Sequence, residues 1–167
     1  SAGCRTFIIH ARKAWLSGLS PKQNRDVPPL QYETVYRLKA DFPQLEIVIN
    51  GGINSLAQTE LLLGKVDGVM LGREAYQNPY LLAEVDLLLF NAMEKPRTRQ
   101  EIIELLIPYI QSQLSAGTRL NSITRHILGL FHGEPGARSW RRHLSQHAAK
   151  PDAGVEVVRD ALAFTYH

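Results

Sequence analysis

The chain has 167 residues, 44% of them apolar, with 19 Lys and Arg against 16 Asp and Glu for a formal charge of +3. This is the make-up of a globular chain, sized for one domain or two small ones and too short for a complete eight-stranded α/β barrel of about 250 residues. The one cysteine, Cys4, excludes an internal disulfide framework and a cysteine-rich zinc module, and apolar runs of about four residues, such as Leu87-Leu88-Leu89-Phe90, exclude a membrane span.

In chain order, Ser1-Ala2-Gly3-Cys4-Arg5 has no apolar core and does not read as a secretory signal; a reducing cytoplasm is the expected location. Thr6-Phe7-Ile8-Ile9, Leu45-Glu46-Ile47-Val48-Ile49 and Gly68-Val69-Met70-Leu71 read as strands buried on both faces, because they are apolar and β-branched without strict alternation. Between the first two, Tyr32, Val35, Tyr36 and Leu38 share a helical face that follows Pro28-Pro29 and stops at Phe42-Pro43. Between the second and third, Ser55 caps a helix carrying Leu56, Thr59 and Leu63, with Gly64 at its end. Strand, helix, strand, helix, strand is the rhythm of a parallel α/β sheet.

The texture changes near Lys95-Pro96-Arg97, which divides the chain into residues 1–95 and 96–167. Thr98 and Glu101 form a capping-box pattern, followed by Ile103, Leu106, Ile107, Ile110 and Leu114 at helical spacing, with Pro108 expected to bend the helix. A second stripe takes Leu120, Ile123, Ile127, Leu130 and Phe131; a third, started by Pro135, takes Ala137, Trp140, Leu144 and Ala148; a fourth takes Val155, Val158 and Leu162. The expected fold class is therefore α/β plus all-α, with a small helical bundle second. No internal repeat or low-complexity segment occurs.

Ligands of parallel α/β folds bind beyond the carboxyl ends of the strands. Those ends carry His10-Ala11-Arg12, Asn50-Gly51-Gly52 and Gly72-Arg73. Paired glycines let a ligand approach the backbone; glycine followed by arginine at a helix start suits a phosphate. Each string alone also reads as a strand-end histidine, a turn or a solvated helix start. Together they point to a phosphorylated cofactor.

Charge is unevenly distributed. Residues 1–39 carry net +5, 40–116 net −5, 117–150 net +5 and 151–167 net −2. Basic blocks attract polyanions. Arg138, Arg141, Arg142 and Ser145 share one helical face, and three arginines there need neutralising, by a phosphate backbone or by an acidic patch of the same chain. Arg119, Arg125, His126 and His132 extend this field. In the first block, Arg12-Lys13-Ala14-Trp15, Lys22 and Arg25 lie on a loop long enough to suggest function; Trp15 either stacks on a base or ribose or packs beneath its loop.

The string from His10 to Leu16, then Ser20-Pro21-Lys22, Asn24-Arg25 and Pro28-Pro29-Leu30, resembles the A subfamily of tRNA-dihydrouridine synthases. Asn50-Gly51-Gly52-Ile53, Gly68-Val69-Met70, Gly72-Arg73-Glu74-Ala75-Tyr76 and Asn78-Pro79 continue the resemblance, as do Ile123-Thr124-Arg125-His126, Gly129-Leu130-Phe131, Pro135-Gly136-Ala137-Arg138 and Trp140-Arg141-Arg142. The match covers nearly the whole chain in order.

The resemblance implies an FMN-dependent oxidoreductase in which residues 1–95 are the last three βα units of a TIM (β/α)8 barrel and residues 96–167 a helical tRNA-binding domain. It implies FMN contacts at His10, Asn50, Gly51, Gly52, Gly72 and Arg73, and tRNA contacts at Lys22, Arg25, Arg138 and Arg141. The implied reaction reduces the C5–C6 double bond of a D-loop uridine, with hydride from the flavin, a proton from a cysteine and NADPH as reductant, on a base lifted from its stack. The chain would be the carboxyl-terminal half, with the acid cysteine on the missing amino-terminal half, so no catalytic residue is expected here. Cys4 precedes its strand and is on the wrong side for the role. The chain alone is expected to be inactive, with no metal and no membrane association. The alternative is a non-catalytic RNA-binding fragment.

Overall fold

Three parallel strands, β1 (Thr6–His10), β2 (Glu46–Asn50) and β3 (Gly68–Met70), form one sheet in the order β1-β2-β3. The computed structural model describes residues 3–166; Ser1 and Ala2, which begin the N-terminal string, and His167 lie outside the described residues. Thr6 pairs with Glu46 and His10 with Asn50, while Val48 pairs with Gly68 and Asn50 with Met70. The three carboxyl ends are thereby level, with Asn50 between His10 and Met70.

Helices α1 (Pro21–Asn24) and α2 (Tyr32–Asp41) follow β1, and α3 (Leu56–Leu63) follows β2. The Ser55 hydroxyl caps α3 by accepting the Gln58 N–H at 3.2 Å. Gly64 closes that helix at φ −70°, so no left-handed turn is made there. Ile47 and Ile49 are fully buried against Val35, Leu62 and Val66. Side chains alternate along a strand, so Ile8, Val48 and Gly68 point the other way. Ile8 is 58% exposed. This corrects the expectation of strands buried on both faces: the helices of this chain cover one face of the sheet, and β1 and β3 are its edges. At the amino end of the sheet, Asp67 accepts the Ile47 N–H and Lys39 Nζ, each at 2.8 Å, and both contacts hold its carboxyl below the usual carboxylate range.

By its contacts the chain divides into two compact units, Ser1–Glu74 and Ala75–His167, so the division falls inside α4 (Arg73–Gln77). This is earlier than the change of texture at Lys95. A 3-10 helix (Pro79–Glu84) and α5 (Val85–Leu89), neither read from the sequence, belong to the second unit. The Tyr80 hydroxyl donates to the Arg97 carbonyl, its ring lies 3.7 Å from the Arg99 guanidinium, and Gly129 lacks a Cβ where the Gln77 carbonyl passes.

The helical core of the second unit is built on α6 (Arg99–Ser115), α7 (Leu120–Thr124), α8 (Ala137–His147) and α9 (Val155–Ala163). Thr98 and Glu101 complete the capping box of α6, which runs through Pro108. Ile103, Ile110, Phe131, Trp140, Leu144 and Val158 are the centre of this core. The second stripe is not one helix. After Thr124 the backbone closes i to i+3 turns, and the Ile127 carbonyl accepts both the Leu130 N–H at 3.1 Å and the indole N–H of buried Trp140 at 3.2 Å, neither of them the N–H four residues on that an α-helix would supply. Pro135 also falls outside its helix: Gly136 is the N-cap of α8, at φ +78°. A side chain at Gly136 would be strained by that φ and would strike the Phe164 carbonyl. Gly136→Ala is therefore expected to lower stability by more than about 2 kcal/mol, read as a shifted denaturant midpoint; a midpoint within error of the parent would refute this account of the turn.

Candidate functional site

The level strand ends of the first unit bring His10 beside Asn50 and Gly51. Strand alternation sends His10 and Asn50 out on the same face as Ile8 and Val48, the face these helices leave open. Beyond Asn50 the backbone turns through Gly51 at φ +119° and Gly52 at φ +69°. A Cβ on Gly51 would lie 3.3 Å from the His10 ring and 3.4 Å from the Ala11 nitrogen; one on Gly52 would press into Leu30 at 2.7 Å. Glycine is required at both by conformation and by space. The Gly51 carbonyl accepts the Tyr32 hydroxyl at 2.6 Å, and Gln58 donates to that hydroxyl at 3.2 Å. Burial raises the pKa of the Tyr32 phenol, which keeps it a donor.

The segment joining β1 to α2 is fastened at its base. Ala11 N–H donates to the Asn50 carbonyl at 2.7 Å, Gln31 N–H to the Ala11 carbonyl at 2.7 Å, and Arg12 and Leu30 form an antiparallel bridge. Arg12 Nη1 donates to the Pro28 carbonyl and, at 3.4 Å, to that of Asp26. Arg12 Nε is buried with no partner among the described residues. Inside the loop, Ser20 and Gln23 form a capping box on α1, and the Asn24 side chain pairs with both backbone groups of Trp15, at 2.8 and 3.0 Å. Trp15 is 45% exposed, which leaves part of its ring open to solvent. Lys22 and Arg25 are exposed, and neither side chain has a hydrogen-bond or ion-pair partner among the described residues.

Gly72 has open space around its Cβ position, and Arg73 begins α4. That helix is only five residues long, so its dipole offers little to an anion. What it offers is the guanidinium, whose Nη1 pairs with Asp26 Oδ1 at 2.6 Å. His10 is held below the ordinary imidazole range, first by burial and then by the charges of Arg12, Arg73 and Arg25. Those three cations face one carboxylate, Asp26, itself held low chiefly by the Arg73 hydrogen bond. The resulting excess of positive charge around two glycine turns is suited to a small polyanion.

In the second unit, α8 turns Trp140 and Leu144 into the core and leaves Arg138, Arg141, Arg142 and Ser145 exposed. No carboxylate among the described residues pairs with these arginines, so the acidic-patch explanation is removed. Also in this unit, His126 Nε2 accepts from Arg125 Nε at 3.3 Å, which assigns its proton to Nδ1, facing the Tyr76 hydroxyl at 3.1 Å.

Sequence reasoning missed Asp26 and Tyr32. Asp26 is one of only two acids in the first basic block, and that isolation is a signal by which it could have been found. The role of Tyr32 was hidden, because its place on a helical face explains it as packing. Cys4 is exposed at the amino end of β1, with its thiol donating to the Thr6 carbonyl at 3.3 Å, a strand's length from His10. Among the described residues no group of His, Cys, Asp or Glu is arranged to hold a metal ion, and no helix is long and apolar enough to cross a membrane. Because burial and then the charges of Arg12, Arg73 and Arg25 depress the His10 pKa, Arg73→Ala is expected to move it part of the way up toward its ordinary value. An imidazole NMR titration of the two proteins reads this directly, and an unmoved midpoint would separate Arg73 from His10.

The profile of the dihydrouridine synthase (Dus) family matches residues 1–165. A tRNA-dihydrouridine(20/20a) synthase of Vibrio cholerae is 58% identical over 161 residues, 96% of this chain and 49% of that protein. Proteins of the same name from Shewanella oneidensis and Yersinia pestis are 59% and 61% identical, over 94% and 96% of this chain and 47% and 46% of their own lengths. The chain thus spans about half the length of the curated relatives it matches. With a match of this extent, the chain belongs to the dihydrouridine synthase family.

Proposed function

We propose that this chain is the carboxyl-terminal half of an FMN-dependent tRNA-dihydrouridine synthase, in which residues 1–95 supply the last three βα units of a flavin-binding TIM (β/α)8 barrel and residues 96–167 a helical tRNA-binding domain. The observation that carries the reading is the convergence of His10, Asn50-Gly51-Gly52 and Arg73, with Arg12 and Arg25, at one end of a parallel sheet. The names of the relatives supply the substrate class, tRNA.

The residues fit a flavin mononucleotide. Gly72, with open space about its Cβ position, and exposed Gly52 offer backbone a phosphate can approach, Gly51 makes the turn that presents them beside His10 and Asn50, and Arg73 offers a guanidinium for the phosphate. His10 and Asn50 stand on the sheet face where an aromatic ring system would lie, and His10 meets it as a neutral imidazole that can donate or accept a hydrogen bond. When bound, FMN supplies the hydride donor for the uridine C5–C6 double bond, and NADPH restores it. Lys22, Arg25, Arg138 and Arg141 bind tRNA phosphates through exposed, unpaired side chains. The remaining part of the barrel, including the acid that completes the reduction, belongs to the other half of the relatives' length. This chain therefore acts in the cytoplasm only as part of the larger protein and does not turn over alone.

Two outcomes test the proposal in the full-length protein containing this chain. Arg73→Ala weakens FMN binding about tenfold, the worth of one charge-assisted hydrogen bond, as measured by flavin fluorescence; retention equal to the parent contradicts the phosphate role. Replacing Arg138 and Arg141 together with Ala lowers tRNA affinity and reduces the slope of log affinity against log salt by roughly 2, read by filter binding. An unchanged slope removes them from the interface. Salt-dependent tRNA binding by a protein that takes up no flavin would instead favour the non-catalytic RNA-binding reading, which the unpaired α8 arginines also suit.

A further inference from the structure

We propose that Asp26 is a positioning residue that aims Arg73 at the phosphate of the bound nucleotide and so ties the β1–α2 loop to that site; this rests on the FMN reading above. Asp26 Oδ1 is the sole partner of the Arg73 side chain among the described residues, at 2.6 Å from Nη1. The two side chains are 54% and 43% exposed. A pair that open to solvent is screened and adds little to stability. What it contributes is direction. A guanidinium is a planar fork with a second edge. With Nη1 engaged, Nε and Nη2 are left without a partner among the described residues, and the space around the Gly72 Cβ position is open.

The backbone that carries the carboxylate is itself held in place. The Asp26 N–H donates to the Gln23 carbonyl at 3.0 Å, and its carbonyl accepts from Arg12 Nη1. Arg12 bridges to Leu30, which covers Gly51 and Gly52. One acid thus links the loop that closes over the second strand end to the cation at the third. It does so without cancelling the local charge, because Arg12, Arg25 and Arg73 outnumber it. A dianion approaching Arg73 would meet a guanidinium already oriented and a field still positive. Preorganisation of this kind raises affinity by lowering the cost of ordering a long side chain on binding.

Comparing FMN with riboflavin isolates the phosphate. In the full-length protein containing this chain, equilibrium binding of each flavin is measured for the parent, D26N, D26E, R73A and the D26N/R73A double variant. D26N is expected to weaken FMN about fivefold and leave riboflavin within about twofold, with D26E, which keeps the charge, recovering most of the loss. In the R73A background, D26N should have no further effect. The proposal is overturned by a D26N protein with the parent's FMN-to-riboflavin ratio, by one that binds FMN more tightly (Asp26 as competitor), by equal loss of both flavins (a loop-folding role), by D26E no better than D26N, or by an undiminished D26N effect when Arg73 is already Ala. If R73A itself leaves the ratio unchanged, the phosphate reading of Arg73 falls and the Asp26 role with it; if R73A lowers the ratio and D26N does not, only the Asp26 role falls.

Discussion

Parallel register is the constraint on which the first unit depends. Because His10, Asn50 and Met70 are paired across three strands, the segments that leave those strands start from one level and one end of the sheet. Two glycines at positive φ then turn the chain away directly after Asn50, and Leu30 and Tyr32 seal that turn from the side. A register slip by one residue would reverse the faces of His10 and Asn50 and dismantle the cluster without altering a single residue type.

The electrostatics follow from this arrangement. Arg12 and Arg25 lie on one loop and Arg73 far along the chain, yet all three act on His10. Gathering like charges costs free energy that an isolated α/β unit has no reason to spend, and among the described residues only the Asp26 carboxylate pairs with this cluster. Such uncompensated clusters are a mark of ligand sites. The opposite end of the sheet makes the contrast: there Asp67 and Lys39 satisfy each other and nearby backbone groups, a closed arrangement with a structural purpose.

The second unit separates its two tasks by helical face. On α8, Trp140 has its indole N–H bonded to a carbonyl and its ring 4.9 Å from that of Phe131, so the inward face is saturated. The outward face carries arginines with no partner among the described residues. On the proposed reading, the inward face keeps the core while the outward arginines meet a polyanion.

Much of this was legible from the residues in order. The strands, the Ser55 and Thr98 caps and the apolar stripes of α6, α8 and α9 rest on local periodicity and on hydrogen bonds between near neighbours, and a chain carries that information along its length. The α2 face after Pro28-Pro29 was visible for the same reason. The short helices at 79–89, the broken stripe after Thr124, the displaced role of Pro135 and the exposure of Ile8 were not. Each depends on a partner far away in sequence: the Gln77 carbonyl beside Gly129, the Trp140 indole on Ile127, the Phe164 carbonyl behind Gly136, and the layer of helices that covers only one side of the sheet. The candidate site divides in the same way. Which residues stand at strand ends is a property of the sequence, but that Asp26 reaches Arg73 across 47 positions is decided only when strand pairing brings the loop and the third strand end together, because a pairwise contact at that separation leaves no periodic trace in the chain.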